Sequence, residues 1–363
     1  MESPPIQDRF KVSDFYVMVL IHSSQYGLSY LSMPTPAIQW AGQDVWISVL
    51  ISAISVHLII FLMYRILTRR NADLIQIHQQ LLGKWTGHVF NLLFLCYFMV
   101  TAAFQVSSYI KLVQAWLFPE ISGWVLGFVI FLLVYYIVSG GIRTIAGICA
   151  FTLTTQVLVL TLVFSAPYFH FRNLTPIFEH TVAELIKASK PITFSYMGFE
   201  LLFFYYIFVK NAPKSQRWAH AGNAATTVTY LLSMFLSILL FKPEQLAKEI
   251  WPVMTKFKFV QLPFLERFEF MGAAIHVFRV MPIVCLCLWS AARILKSVSN
   301  MKQKHAVPVI LIIVLAIFCI ISSDEIMEKI QTILSNFSLY LLYGYIPLLY
   351  ILHLIRSKAG KVS

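Results

Sequence analysis

The chain has 363 residues, of which 59% are hydrophobic and only 12% charged. Soluble domains run at about 45–50% apolar and about 25% charged, so a purely soluble fold is excluded and the bilayer is the solvent that fits. About 214 residues are apolar, close to the ~200 that ten spans of about 20 residues would use, which leaves little for a nucleotide-binding motor or a soluble catalytic module. The formal net charge of +12 does not point to nucleic acid, because the basic residues fall in short clusters between apolar stretches and not in one run interleaved with aromatics.

In chain order, Met1 to Lys11 reads as a polar cytoplasmic tail and not as a removed signal. Ten apolar segments of spanning length follow: Val12 to Pro34, Trp46 to Leu67, Val89 to Ile110, Ile121 to Val138, Ile145 to Tyr168, Pro191 to Val209, Thr226 to Phe241, Phe268 to Ile294, Val307 to Ser322 and Leu339 to Ile355. Their continuous apolarity excludes the alternating pattern of barrel strands. The fold class is therefore all-α integral membrane, one transmembrane domain over residues 1–363 with halves 12–168 and 191–355. Ser139-Gly140-Gly141-Ile142-Arg143 splits the fourth segment from the fifth. Ile177 to Leu185 suits a short interfacial helix. The outer loop 242–267 mixes charges with Trp251, Phe257, Phe259 and Phe264, and is either a solvated linker or a lid or partner surface at the membrane.

With both termini cytoplasmic, 17 of the 28 basic residues lie inside, 10 lie outside, and Arg279 alone falls within a span. The positive-inside rule favours that orientation, and an even number of spans returns both ends to one side. All five cysteines sit in apolar stretches, where a thiol acts as a small hydrophobe, so no disulfide framework is expected. The absence of H-E-x-x-H, G-x-S-x-G, paired intramembrane aspartates or a Cys/His constellation argues against an enzyme, a cofactor and a metal site.

Two segments are interrupted by polar residues at mid-membrane depth. The first contains Ser23, Ser24, Gln25, Tyr26 and Gly27, and the sixth contains Ser195, Tyr196, Met197, Gly198, Phe199 and Glu200. Broken backbone at that depth is tolerated only against protein or a water-filled cavity. Equivalent breaks in the first helices of two five-helix halves, which must have opposite orientations, are the signature of an inverted repeat with a midplane site. Free N–H and C=O groups there can hold the carboxylate and ammonium of an amino acid. The alternative is close packing through small residues. On the third segment, Tyr97, Thr101 and Gln105 share a face and either line the cavity or form a helix–helix seam.

Ionisable groups at depth are functional candidates. Glu200 and Arg279 either pair across the bundle, or Glu200 is a proton or ligand-amine site and the two act in coupling or gating. His276 lies on the same face as Arg279 and is either a satisfied packing histidine or a titrating switch. A bulky residue at Gly198 is expected to fill the break and remove ligand response at normal protein level.

These motifs, with Gly83-Lys84-Trp85, Gly140-Gly141, Asn173-Leu174-Thr175-Pro176, Trp251-Pro252 and Leu265-Glu266-Arg267-Phe268-Glu269, give the chain a resemblance along nearly its whole length. It resembles the B subunits of bacterial spore germinant receptors, the spore permease family of the amino acid/polyamine/organocation superfamily. The resemblance implies a LeuT-like fold in which broken helices 1 and 6, with helices 3 and 8, surround a small nutrient, commonly an amino acid and sometimes a sugar. Those positions map onto Ser23 to Gly27, Tyr97 to Gln105 and Ser195 to Phe199. It also implies an inner spore membrane location, assembly with a membrane-embedded A subunit and a lipid-anchored C subunit, and a conformational signal read by the A subunit. Two departures stand out. Gly27-Leu28-Ser29 replaces the G-x-G of relatives, and the fifth segment lacks the lysine of proton-coupled relatives, which favours a sensor or an uncoupled conduit over a proton symporter.

Overall fold

In the computed structural model, which describes residues 6–261, 266–321 and 323–359, the described residues are predominantly helical. Its helices are α1 (Tyr16–Gln25), α2 (Ser29–Ser32), α3 (Pro34–Ala41), α4 (Val45–Arg70), α5 (Leu74–Leu82), α6 (Lys84–Trp116), α7 (Gly123–Ser139), α8 (Ile142–Thr154) and α9 (Val157–Leu160). Then come α10 (Val182–Ser195), α11 (Leu202–Tyr205), α12 (Gln216–Leu240), α13 (Pro243–Leu246), α14 (Pro252–Lys256), α15 (Phe268–Ser299), α16 (Gln303–Ile320), α17 (Asp324–Tyr340) and α18 (Ile346–Ala359). Among the described residues, seven helical stretches are long and apolar enough to cross a bilayer, and eight when the pair 182–195 and 199–208, bent by 52°, is counted as one. Gly123–Ser139 is a shorter apolar helix. The outward faces are apolar, as at Ile54, Leu58 and Ile312, each more than 60% exposed, which is the surface expected where the solvent is lipid. This is a multi-pass membrane protein.

Helix boundaries follow local chemistry. The break at Gly140-Gly141 falls as predicted, because Gly141 has φ +78°, a conformation that side chains with a Cβ rarely adopt. The sixth segment differs from expectation. Its helix begins at Val182, nine residues before Pro191, because Thr181 and Glu184 form a reciprocal capping box. Residues 182–185 are therefore the first turn of α10 and not a separate interfacial helix. The tenth segment also starts earlier. Ser323 caps α17 by accepting the Ile326 N–H, and α17 continues through a π-helical turn at Leu341–Tyr345 into α18. Residues ahead of the predicted Leu339 are thus helical, and among them Leu334 and Ser338 are buried in the bundle.

At the bundle centre, α6 and α15 pack along each other, and α1 is held between α8, α12 and α15. The sixth segment runs antiparallel to the first. Val12, ahead of α1, forms a parallel bridge with Val209, which follows the second half of the bent pair, through Val12 N–H to Phe208 O at 2.9 Å and Lys210 N–H to Val12 O at 2.8 Å. The described part of the outer loop is not a solvated linker. Val253, Met254 and Phe257 are buried, and α14 packs on α2, α12 and α15.

Candidate functional site

Both predicted interruptions are real breaks in the helices. α1 ends at Gln25, and Tyr26 leaves helical geometry at φ −95°, ψ 51° before α2 resumes at Ser29. α10 ends at Ser195, and the chain turns through Gly198 at φ +117° before helical geometry returns at Phe199. The two breaks touch. A Cβ placed on Gly198 would sit 2.3 Å from Ser24 O and 2.7 Å from Ser24 C, so glycine is required there both for its φ and for the close approach.

Hydrogen bonds tie the breaks to their surroundings. The Gly198 N–H donates to Glu200 Oε2 at 2.7 Å, and the Tyr97 hydroxyl donates to Glu200 Oε1 at 3.0 Å. The Leu28 N–H donates to Gln105 Oε1 at 3.3 Å. The Tyr230 hydroxyl lies 2.6 Å from Gln25 O and 2.7 Å from Ser195 O, the last carbonyls of the two half-helices. One proton serves both carbonyls. Tyr230 is absent from the sequence-derived candidates because an isolated tyrosine in an apolar segment resembles any packing aromatic.

These elements enclose a central cavity lined by Ser24, Gly27, Tyr97, Thr101, Gln105 and Glu200, with Met197 and Gly198 completing the sixth-segment wall. The space open to water centres is ≈ 20 Å³, enough for about one water. Thr101 Oγ1 is buried and has no hydrogen-bond partner among the described residues. A second, larger space of ≈ 330 Å³ lies beside it, lined by Ser32, Pro191, Glu328, Gln331 and Thr332. Ser29 and Phe194 border both spaces, so these two residues lie where the larger space, the vestibule, meets the central cavity.

Other predicted residues face the framework and not this cavity. Ser23 donates to Cys149 O at 3.0 Å, and Tyr196 donates to Thr227 Oγ1 at 3.0 Å. Gln25 joins Asn223 and Thr226 on α12 at 2.9 and 2.7 Å. Ser195 donates to Pro191 O at 3.3 Å and borders the vestibule. Phe199 is fully buried. The pairing of Glu200 with Arg279 does not form. Arg279 instead donates to Thr155 O at 3.0 Å and to His276 Nε2 at 3.2 Å, with its guanidinium carbon 4.5 Å from the Tyr26 ring centre. Thr155 caps the end of α8, and its carbonyl draws the guanidinium away from the sixth segment. His276 donates from Nδ1 to Gly272 O at 2.5 Å, so both ring nitrogens have partners in the neutral form.

A helical membrane bundle whose two antiparallel broken segments enclose a small cavity, apolar over most of its wall with a few polar groups converging on it, defines a permease-like or receptor-like class. The family described as "Spore germination protein" (Spore_permease) matches residues 11–328, and the chain belongs to it. It is 36% identical to spore germination protein GerQB of Bacillus cereus over 362 residues, 99% of this chain and 100% of that relative. It is 21% identical to spore germination protein YndE of Bacillus subtilis (strain 168), covering 97% of each chain, and 22% identical to spore germination protein A2 of the same strain, covering 84% and 85%.

Proposed function

We propose that this chain is the nutrient-sensing subunit of a spore germinant receptor, binding a small ligand, an amino acid in the first instance, where the two breaks meet. The observation that carries this is the joint enclosure of one cavity by Ser24, Gly27, Met197 and Gly198 from the breaks and Tyr97, Thr101, Gln105 and Glu200 around them. Glu200 suits the ligand's ammonium, while the unpaired Thr101 hydroxyl and the break N–H groups suit its carboxylate. In this reading the chain is a ten-span, LeuT-like 5+5 inverted repeat in the inner spore membrane with cytoplasmic termini. The antiparallel broken segments and the excess of basic residues at the terminal end of the bundle support that arrangement.

A cavity of ≈ 20 Å³ is too small for an amino acid. Binding therefore requires the breaks to part, and a ligand that favours the parted form shifts the equilibrium between the two. A partner A subunit, assembled with a C subunit, would read that shift. The second reading is a secondary transporter, favoured by the stacking of vestibule, Phe194 and central cavity, the arrangement that alternating access requires. Purified chain in proteoliposomes separates the two: concentrative uptake of a radiolabelled amino acid identifies a transporter, and saturable binding without uptake identifies the sensor. Absence of both across a panel of amino acids and sugars would refute the site.

A further inference from the structure

At the end of the bundle where α4 and α18 finish, a cleft of ≈ 430 Å³ opens between the last turns of α4, the start of α12 and α18. Its polar wall carries Arg65, Thr68 and Arg69, and its apolar wall carries Phe61, Tyr350 and Leu354. Phe61 and Leu354 are also exposed on the lipid-facing surface. Among the described residues neither Arg65 nor Arg69 pairs with a carboxylate, and Arg65 instead rests 4.8 Å over the Phe61 ring. The charge at this end is concentrated further by Arg70, which donates to His353 Nδ1 at 3.1 Å, and by Arg356, which donates to Gln80 O at 3.1 Å. The described carboxylates of this end are already engaged. Asp8 pairs with Lys11 at 3.2 Å, Asp14 with Arg217 at 3.7 Å and Asp73 with Arg293 at 2.5 Å.

We propose that this cleft binds an anionic phospholipid, with Arg65 and Arg69 holding the phosphodiester and an acyl chain lying along Phe61 and Leu354. Guanidinium groups match phosphate oxygens in bidentate geometry, and basic pockets between spans at the membrane surface hold anionic headgroups. A wall that is basic at the rim and apolar toward the bilayer matches an amphiphile better than a free anion or an acidic protein surface. The leaflet depends on the orientation proposed above, whereas binding in micelles does not.

The test is native mass spectrometry of the full chain in neutral detergent, titrated with phosphatidylglycerol, phosphatidylcholine or inorganic phosphate. The wild type is expected to bind phosphatidylglycerol at least tenfold more tightly than phosphatidylcholine. Arg65→Gln with Arg69→Gln should abolish that preference, whereas neutralising the exposed Lys302 and Lys304 should leave it. Leu354→Trp keeps both arginines and obstructs the apolar wall, so it should lose the lipid even if the arginine variant does not fold. Equal binding of the two lipids, or an equal loss on neutralising Lys302 and Lys304, overturns the proposal. Inorganic phosphate binding as tightly as the lipid and unaffected by Leu354→Trp assigns the cleft to a free anion. An arginine variant that keeps its lipids and loses a partner subunit assigns it to an acidic protein surface. Either result also overturns the proposal.

Discussion

Gly198→Ala is the smallest change that tests the contact between the breaks. An alanine at φ +117° is strained by about 1–2 kcal/mol, and its Cβ would meet Ser24 O at 2.3 Å, where ordinary contact begins at 3.4 Å. The breaks must then separate by about 1 Å, and forced overpacking of this kind costs about 1–3 kcal/mol. The sum, about 3 kcal/mol, is a large fraction of the 5–15 kcal/mol that stabilises an ordinary domain, and for a chain of this size lowers Tm by on the order of 5 °C. The expectation from sequence, loss of response at normal protein level, therefore changes: even alanine should lower both stability and ligand affinity, and leucine should lower abundance. Thermal unfolding in detergent, beside ligand titration, reads both. Gly147→Ala is the control, since nothing lies within 4 Å of its Cβ and it sits inside α8. A Gly198→Ala chain that melts and binds like wild type would refute the close approach and the cavity built on it.

Three further outcomes are expected. Phe194→Ala should join the vestibule to the central cavity and speed modification of Cys287, which lines the cavity, by an impermeant thiol reagent at least tenfold once Cys96 and Cys319 are replaced; an unchanged rate would remove Phe194 as the barrier. Glu200→Gln can still accept the Gly198 N–H and can donate to Tyr97, so it should fold within about 1 kcal/mol of wild type while ligand affinity drops tenfold or more, whereas Glu200→Leu strands the Gly198 N–H at about 1–3 kcal/mol. Normal ligand affinity in Glu200→Gln would dismiss the carboxylate as a ligand group. Lys256, in the outer loop, has its ammonium buried against Ser233 O, Ser233 Oγ and Ser237 Oγ at 2.6, 2.7 and 3.0 Å, and burial holds its pKa well below the ordinary 10.5. The unfolded chain then binds this proton more readily, so stability should rise with pH from the depressed value toward 10.5, by at most about 1.4 kcal/mol per pH unit. Tm measured from pH 7 to 10 should show that rise in wild type and lose it in Lys256→Met; parallel curves would contradict the burial.

The membrane class, the helical content and the two breaks were legible because they depend on local signals: apolar run length, and Ser, Gly and Gln where hydrocarbon tolerates none. The split at Gly141 was legible for the same reason. The start of α10 carries a local signal too, in Thr181-x-x-Glu184, but the amphipathic stretch around it reads as a separate interfacial helix and not as the first turn of the sixth segment. The partners of Arg279 depend on which carbonyl the end of α8 presents, and the place of Tyr230 depends on how α12 lies across both breaks. Neither is written in periodicity. The same limit explains why Ser23, Gln25 and Tyr196 looked like cavity residues: spacing shows that a polar side chain lies near a break, and only packing decides whether it turns inward or toward a neighbouring helix.

The hydroxyl of Tyr230 has a single hydrogen to offer two carbonyls that lie 2.6 and 2.7 Å away. If the half-helices move apart, it must stay with one and desert the other, and the deserted oxygen, deep in hydrocarbon, needs a new donor. Under the amino-acid reading proposed above, the ligand's ammonium group would supply one. On that reading the tyrosine would act as a clasp whose release waits on the guest, so that opening without one is unfavourable.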